Sequence, residues 1–317
     1  MRILKALLVI PLTIITLLLL LIIIWAGWER TRDPLAALDR DAGLVSVLQD
    51  SAFQLDVTTA PRSYRQVVLT TERLGEITVS FSLPLEIPTG GLPLIVVLGG
   101  LEIGEANFEM IDDPGANIIA IYHYPYSPEY WYAATTISDI PLIRRAVLQV
   151  PAQVATLIEW AGTADWIDAE RISVTGYSFG AMFLPALYHL AEGNNLRLGP
   201  GVIAYAGTDI GSLLHANLVD IQEPERTLLA WLAATAIFPL EPAAHLPHLS
   251  NEFLLINGTS DHQIPEESWR RLHQLTPEPR RVIILDAGHM HPRKPDLTRK
   301  LVNISRDWLL EKTAINR

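Results

Sequence analysis

The sequence contains no cysteine. A chain without cysteine can form no disulfide, no thiolate metal site and no cysteine nucleophile, so thiol catalysis and thiolate-bound zinc are excluded. Basic residues are also few, with 24 Lys and Arg against 35 Asp and Glu and a formal net charge of −11. Because binding to nucleic acid needs a basic face that neutralises phosphates, this charge argues against a nucleic-acid partner.

One stretch near the N-terminus has no charged residue at all. Residues 6–27 are an uninterrupted run of uncharged, mostly apolar side chains. At about 1.5 Å per residue, a helix of this length spans roughly 33 Å, which matches the core of a bilayer. Trp25 and Trp28 stand where the aromatic belt of a membrane helix would lie. We expect an uncleaved transmembrane anchor in residues 1–28; the alternatives are a cleaved signal peptide and a buried core helix.

The basic residues on the two sides of this run, Arg2 and Lys5 before it and Arg30 and Arg32 after it, do not by themselves settle its orientation in the membrane. A very short tail with Arg2 and Lys5 before the run is typical of a signal anchor, so we expect a single-pass membrane protein with its N-terminus in the cytoplasm. The rest of the chain is then extracytoplasmic, which means periplasmic if the host is a bacterium. We expect residues 29–63 to be a connector or stalk. A short amphipathic helix is predicted there, capped by Asp33 and beginning at Pro34, with apolar positions Leu35, Leu38, Leu44, Val45 and Leu48.

The remainder, residues 64–317, reads as one large domain in which strand-like apolar runs alternate with helical stretches. The runs at 64–70 and 77–83 are predicted to form a leading antiparallel hairpin. The alternation after this hairpin predicts an α/β fold with a mostly parallel central sheet. Its predicted strands are residues 93–98, 118–122, 172–175, 201–206, 253–257 and 282–286. The longest insertion, at about 210–250, is predicted to form a helical cap.

The central motif is Gly176-Tyr177-Ser178-Phe179-Gly180, between the strand at 172–175 and a helical pattern. This is the context of a nucleophile elbow, a turn so sharp that it strains the serine backbone and projects the Oγ above the sheet. The glycines remove side chains where the strand and the helix nearly touch. The N–H of Phe179, at the helix start, could then bind an oxyanion. Taken alone, the pattern also fits a structural turn around an inert serine.

Two polar residues come directly after later strands. Asp261 comes after the strand at 253–257, and His289 comes after the strand at 282–286. Because ligands bind at the carboxyl ends of parallel strands, we expect both side chains near Ser178. An imidazole there could take the serine proton, and a carboxylate could orient the imidazole.

Neighbouring residues could also fill these two roles. Asp209, past the fourth parallel strand, could be the acid instead, and His291 could be the base. We expect His262 to be an ordinary loop residue and Asp286 to point away from the site.

A second oxyanion donor is expected at the end of the strand at 93–98. There the sequence is Leu98-Gly99-Gly100-Leu101, at the same sheet edge as the serine. Glycine lets the backbone approach a substrate closely, and we expect the N–H of Leu101 to act with that of Phe179.

Together these motifs resemble those of the α/β-hydrolases over roughly residues 64–312. Three segments are similar to those of dienelactone-hydrolase-like and acyl-esterase-like members: Asn257-Gly258-x-x-Asp261-x-x-Ile264-Pro265, Gly288-His289, and Trp166-Ile167-Asp168 before Arg171-Ile172. The resemblance implies a serine hydrolase with Ser178 as nucleophile, Asp261 as acid and His289 as base. One departure is Gly99-Gly100 at the oxyanion turn, where many members have His-Gly.

We therefore expect a membrane-anchored serine hydrolase that cleaves small-molecule carboxylic esters through an acyl-enzyme on Ser178, with no cofactor and no metal. The alternatives are an amide, peptide or thioester hydrolase, an acyltransferase on the same residues, a non-catalytic binding protein on the same fold, and a structural membrane protein. Four apolar residues of the cap indicate either an acyl or aromatic pocket or the cap's own core: Leu228, Leu229, Trp231 and Phe238.

Overall fold

A nine-stranded sheet runs through the computed structural model, which describes residues 2–38, 41–55, 61–100, 104–125, 139–291 and 294–317. The strands are β1 Val45–Phe53, β2 Arg62–Thr71, β3 Glu76–Pro84, β4 Leu92–Leu98, β5 Ile118–His123, β6 Ile167–Tyr177, β7 Gly201–Ala204, β8 Phe253–Gly258 and β9 Arg280–Leu285. Their order across the sheet is β1-β2-β3-β5-β4-β6-β7-β8-β9. The elbow strand β6 therefore lies near the middle.

The pairing of the strands confirms the predicted sheet. β1, β2 and β3 pair antiparallel, and β3 pairs antiparallel with β5. From β5 onward every neighbouring pair is parallel. All seven residues of β4 are buried, because both faces of a crossover sheet are covered. Its side chains alternate, with Leu94 and Val96 packed on one face and Ile95 and Val97 on the other.

Helices cover both faces of the sheet. The α-helices are α1 Arg2–Thr31, α2 Pro34–Ala37, α3 Ile140–Ala161, α4 Leu184–Gly193, α5 Ile210–Asn217, α6 Glu225–Ala236, α7 Pro242–His245, α8 Glu266–Leu275 and α9 Pro295–Glu311. Apolar residues of α3 and α4 pack on one face, and those of α9 pack on the other. Helices α5, α6 and α7 fall within the insertion between β7 and β8, which confirms the predicted helical cap.

The segment after α1 differs from its predicted helix. Asp33 accepts a hydrogen bond from the Leu35 N–H at 2.9 Å and Pro34 begins α2, as predicted, but α2 has only four residues. The chain then forms β1, which pairs with β2 at the edge of the sheet. A register shift between Val47 and Gln49 interrupts the strand. Because this irregularity breaks the two-residue alternation, the sequence pattern does not reveal the strand.

Helix α1 is long and apolar enough to cross a membrane. Within its segment Ile10–Thr31, the most apolar stretch of 18 residues has a mean hydropathy of 2.6, and only 6% of that stretch is buried. Its last turns contact α6, where Ala26 and Glu29 are buried. The apolar helix therefore leaves the body of the protein from the cap.

Candidate active site

The turn after β6 has the geometry that the glycine–serine motif predicts. Ser178 directly follows the strand and has a φ of +52°, which is strained for a residue with a side chain. A Cβ on Gly180 would lie 2.1 Å from the carbonyl oxygen of Leu98, and a Cβ on Gly176 would lie 2.6 Å from the Cα of Ala181. Both positions therefore accept only glycine, which explains the spacing of the motif.

Three side chains from separate loops meet at this turn. The Ser178 hydroxyl donates to Nε2 of His289, with 2.7 Å between Oγ and Nε2. On the other side of the ring, Nδ1 of His289 donates to Oδ2 of Asp261, also at 2.7 Å. The structure thus brings the three residues predicted from the sequence together in an unbroken series of hydrogen bonds.

The carboxylate of Asp261 is fixed from two sides. Its side chain is fully buried, and its other oxygen accepts the backbone N–H groups of Gln263 at 2.8 Å and Ile264 at 3.2 Å. Because Oδ2 accepts from Nδ1 of His289, the neutral imidazole carries its proton there and presents a lone pair at Nε2. The arrangement can therefore remove a proton from Ser178 and stabilise the imidazolium that results.

Tyr205 is a further contact of the imidazole that the sequence does not suggest. Its ring meets that of His289 edge to face, with centroids 5.4 Å apart. The sequence pattern predicts Tyr205 inside a strand, but β7 ends at Ala204 and Tyr205 has a φ of +59°. Its buried hydroxyl has no hydrogen-bond partner within the described part of the chain. Burial, with a smaller contribution from the charge of Asp261, raises the pKa of Tyr205 to about 12.

The two predicted oxyanion donors are Phe179 and Leu101. Phe179 comes directly after the serine in the 3-10 helix Ser178–Phe183, so its N–H lies at a helix start, where backbone donors point out of the helix. Its ring packs edge to face on Tyr124 and on Phe183, at centroid distances of 5.2 and 5.0 Å. Leu101 lies outside the described residues.

The described residues on either side of Leu101 are fixed by side chains that the sequence does not single out. The Tyr124 hydroxyl donates to the carbonyl of Gly99 at 2.7 Å, and Nδ2 of Asn107 donates to the carbonyl of Gly104 at 2.8 Å. Burial raises the pKa of Tyr124 well above its usual range, so this hydroxyl stays a donor. A Cβ on Gly99 would lie 2.7 Å from the side-chain amide of Asn107, so a larger residue there would displace this side chain.

Asp209, the second candidate for the acid, has another role. It begins α5 with a φ of +59°, and its carboxylate accepts from the Ser212 N–H at 3.3 Å and from the Ser212 hydroxyl at 2.6 Å. Its own N–H donates to the carboxylate of Glu241 at 2.7 Å. Asp209 is thus the N-cap of a cap helix.

Three further polar residues lie beside the site. The imidazole that contacts Ser178 is that of His289, while His291 is half-buried two residues further on. His262 is exposed, and exposed Asp286 accepts from the Thr259 hydroxyl at 3.3 Å. Across the residues described, no group of three or more His, Asp or Glu side chains could hold a metal ion.

The apolar residues of the cap match neither expectation made for them. Leu228, Leu229 and Trp231 are 56%, 44% and 37% exposed, so they lie on the outside of α6. Phe238 is half-buried and lies under the guanidinium of Arg30, 5.3 Å from its ring centroid. The outer face of the cap is therefore apolar.

Solved structures share this architecture, although neither a protein-family model nor a curated protein matches the sequence. Acetyl xylan esterase from Paenibacillus sp. R4 is similar over 89% of this chain and 93% of its own, with a TM-score of 0.61 and 14% identity. This chain has the α/β-hydrolase fold.

Two further solved structures share the same architecture. The acylaminoacyl peptidase of Pyrococcus horikoshii has a TM-score of 0.55 at 14% identity, over 79% of this chain and 48% of its own. An arylesterase has a TM-score of 0.53 at 17% identity, over 86% of this chain and 85% of its own. At such identities the similarity establishes the fold of the α/β-hydrolases and not a shared activity.

Proposed function

We propose that this protein is a serine hydrolase that cleaves carboxylic esters of small molecules. The observation that carries the proposal is the series of two 2.7 Å hydrogen bonds from Ser178 through His289 to Asp261. His289 accepts the serine proton as Oγ attacks the ester carbonyl, and the buried carboxylate stabilises the imidazolium. The N–H of Phe179 binds the oxyanion, with the N–H of Leu101 as second donor.

The tetrahedral intermediate then collapses to an acyl-enzyme. The C–O bond to the leaving alcohol breaks, and the alcohol takes its proton from the imidazolium of His289. A water molecule attacks the acyl carbonyl while His289 removes its proton. The bond between the carbonyl carbon and Oγ then breaks, the imidazolium returns the proton to Oγ of Ser178, and the carboxylic acid leaves. Every proton in this cycle is carried by the serine–histidine pair, so the residues present supply the whole reaction.

The names of similar structures support an ester substrate and keep amide cleavage as a second candidate. Two of them are called esterases, an acetyl xylan esterase and an arylesterase. A third is called an acylaminoacyl peptidase, which favours amide cleavage on the same residues. The two candidates differ in the leaving group, because an amine must be protonated to depart and an activated alcohol need not be.

A panel of chromogenic substrates distinguishes ester hydrolysis from amide hydrolysis. We expect the full chain in detergent to hydrolyse p-nitrophenyl esters with a kcat/KM at least roughly 10³ times that for p-nitroanilides with the same acyl groups, because the anilide leaving group must be protonated. Acyl groups of increasing length in each series would also report the size of the acyl pocket. Anilide cleavage as efficient as ester cleavage would overturn the ester assignment in favour of amide hydrolysis.

We further propose that α1 is an uncleaved anchor, with residues 1–28 in the membrane, and that residues 29–63 connect it to the hydrolase domain and add β1 to its sheet. Its length and hydropathy support a membrane span, and a signal sequence passes the same test. The ion pair between the buried carboxylate of Glu29 and Arg144, at 2.7 Å, ties the end of α1 to α3 and favours retention of the helix. The hydrolase domain then lies outside the cytoplasm.

Protease protection tests this orientation. In a bacterial host, protease added to intact spheroplasts should digest the hydrolase domain and leave a cytoplasmic marker protein intact. Protection of the domain until the membrane is disrupted would place it in the cytoplasm instead. A soluble product about 26 residues shorter than the full chain would show that the apolar segment is a cleaved signal.

A further inference from the structure

Exposed apolar side chains lie at the end of the apolar helix and on α3 and α6, which this end contacts. Trp28 of α1 is 56% exposed, and Ile140, one helical turn before Arg144 on α3, is 54% exposed. On α6, Leu228, Leu229 and Trp231 are exposed beside the position where α1 packs. We call these five residues the apolar collar.

The contact between α1 and the cap fixes the collar relative to the membrane helix. Nη2 of Arg30 donates to the Thr235 hydroxyl at 3.2 Å, and the guanidinium lies over the Trp231 ring at 5.9 Å. Nε of Arg144 donates to the carbonyl of Ala236 at 2.8 Å while its Nη2 pairs with Glu29. Because α1, α3 and α6 are joined in this way, the collar keeps a fixed position relative to α1.

The collar also lies at the edge of the sheet that carries the candidate site. Helix α3 links the carboxyl end of β5 to the amino end of β6, so its first residues lie at the carboxyl edge, as Ser178 does. Helix α5 begins at Asp209, just past β7, and α6 packs against it. Met182, one turn past the serine, packs against a small apolar cluster that includes Leu213 of α5.

We infer that the apolar collar rests in the surface layer of the bilayer and that the site takes amphiphilic esters dissolved in that bilayer. The inference rests on the proposed ester hydrolysis and the proposed membrane anchor, and it extends them to a substrate class. Burial of apolar side chains among lipid headgroups and acyl chains supplies the binding free energy. Asp220, Glu223 and Glu225, which precede Leu228 in the sequence, are exposed, so attraction to anionic lipids is not the source of this binding.

The absence of cysteine makes a direct test possible, because a single introduced thiol carries the only label. Leu228→Cys and Val282→Cys variants of the full chain would be labelled with an NBD fluorophore and reconstituted in phosphatidylcholine vesicles. The Val282 side chain is 40% exposed in the middle of β9, the last strand of the sheet, so it is the matched control. We expect a lipid with a doxyl group near the headgroup to quench the label at position 228 and not the label at position 282.

The outcomes of this test do not depend on catalysis, so they are independent of whether the protein hydrolyses esters. Equal, weak quenching at both positions would show that the collar does not lie in the bilayer and would overturn the inference. A label at position 228 that is shielded from water but not quenched by the doxyl lipid would show that a second copy of the chain covers the face, which also overturns it.

A second measurement addresses the substrate class. For a Leu228→Ser/Leu229→Ser variant, we expect the ratio of the rate on a long-chain ester in vesicles to that on p-nitrophenyl acetate in water to fall roughly tenfold. The doxyl quenching at Trp231→Cys in the same background should weaken in parallel. An unchanged ratio would contradict delivery of substrate from the bilayer, even where the position of the collar is upheld.

Discussion

Ser178→Ala is expected to lower kcat for ester hydrolysis on the order of 10⁶-fold, to the background left by the oxyanion donors and substrate binding. Without Oγ no acyl-enzyme forms, and the hydrogen-bonded pair of His289 and Asp261 has no nucleophile to activate. Stopped-flow measurement should show that the initial burst of released alcohol, expected of the parent protein, disappears.

The matched control for this change is Ser63→Ala, because Ser63 is exposed on β2, away from the site. We expect its kcat to equal that of the parent protein. If Ser178→Ala kept a tenth or more of the parent activity, the serine would not be the nucleophile and the proposed acyl-enzyme would be wrong.

Asp261→Asn is expected to lower kcat by about 10⁴-fold, because the substitution changes the tautomer of the imidazole. An amide in this position can donate to Nδ1 of His289, so the proton of the neutral ring moves to Nε2, where the lone pair is needed. The two backbone N–H donors that now bind Oδ1, from Gln263 and Ile264, keep the side chain in place. The substitution therefore tests the chemistry of the carboxylate more than the shape of the loop.

Asp209→Asn provides the comparison, because it makes the same chemical change in the carboxylate that caps α5. Asparagine is as good an N-cap as aspartate, so we expect little change in kcat or in thermal unfolding. Steady-state kinetics on the two variants, side by side, decide between the two acids. A large loss in Asp209→Asn with little loss in Asp261→Asn would reverse the assignment.

The parts of the site that depend on local sequence could be predicted from it. The strained turn at Ser178 is encoded by Gly176 and Gly180, because the close contacts that require glycine come from the adjoining strands and helix. Asp261 and His289 could be placed from strand order, since a residue just past a parallel strand must lie at the shared carboxyl edge. The sheet itself could be predicted because its buried strands are continuous apolar runs.

Other parts depend on contacts between distant segments, which the sequence pattern does not carry. The ring of Tyr205 reaches His289 because the backbone turns to positive φ one residue beyond β7, inside the predicted strand. Tyr124 and Asn107 fix the glycine turn through single hydrogen bonds to Gly99 and Gly104. Each of these depends on where two loops meet, and a lone Tyr or Asn gives no periodic signal.

The orientation of the cap helix α6 could not be predicted from the sequence either. An apolar stretch such as that around Leu228 predicts burial, whether in a core or in a pocket. In the structure α6 buries Ala230 and Ala234 and leaves Leu228 and Leu229 outside. Because residues 228–234 are apolar throughout, the sequence does not determine which side of the helix faces away from the protein.

Covalent labelling tests the role of Ser178 as nucleophile most directly. The full chain would be treated with a fluorophosphonate, which reacts with an activated serine, then digested and mapped by mass spectrometry. We predict one adduct, on the peptide that contains Ser178, with the label lost in Ser178→Ala and strongly slowed in Asp261→Asn. No adduct on the folded parent protein, or equal labelling of Ser178→Ala, would contradict this role.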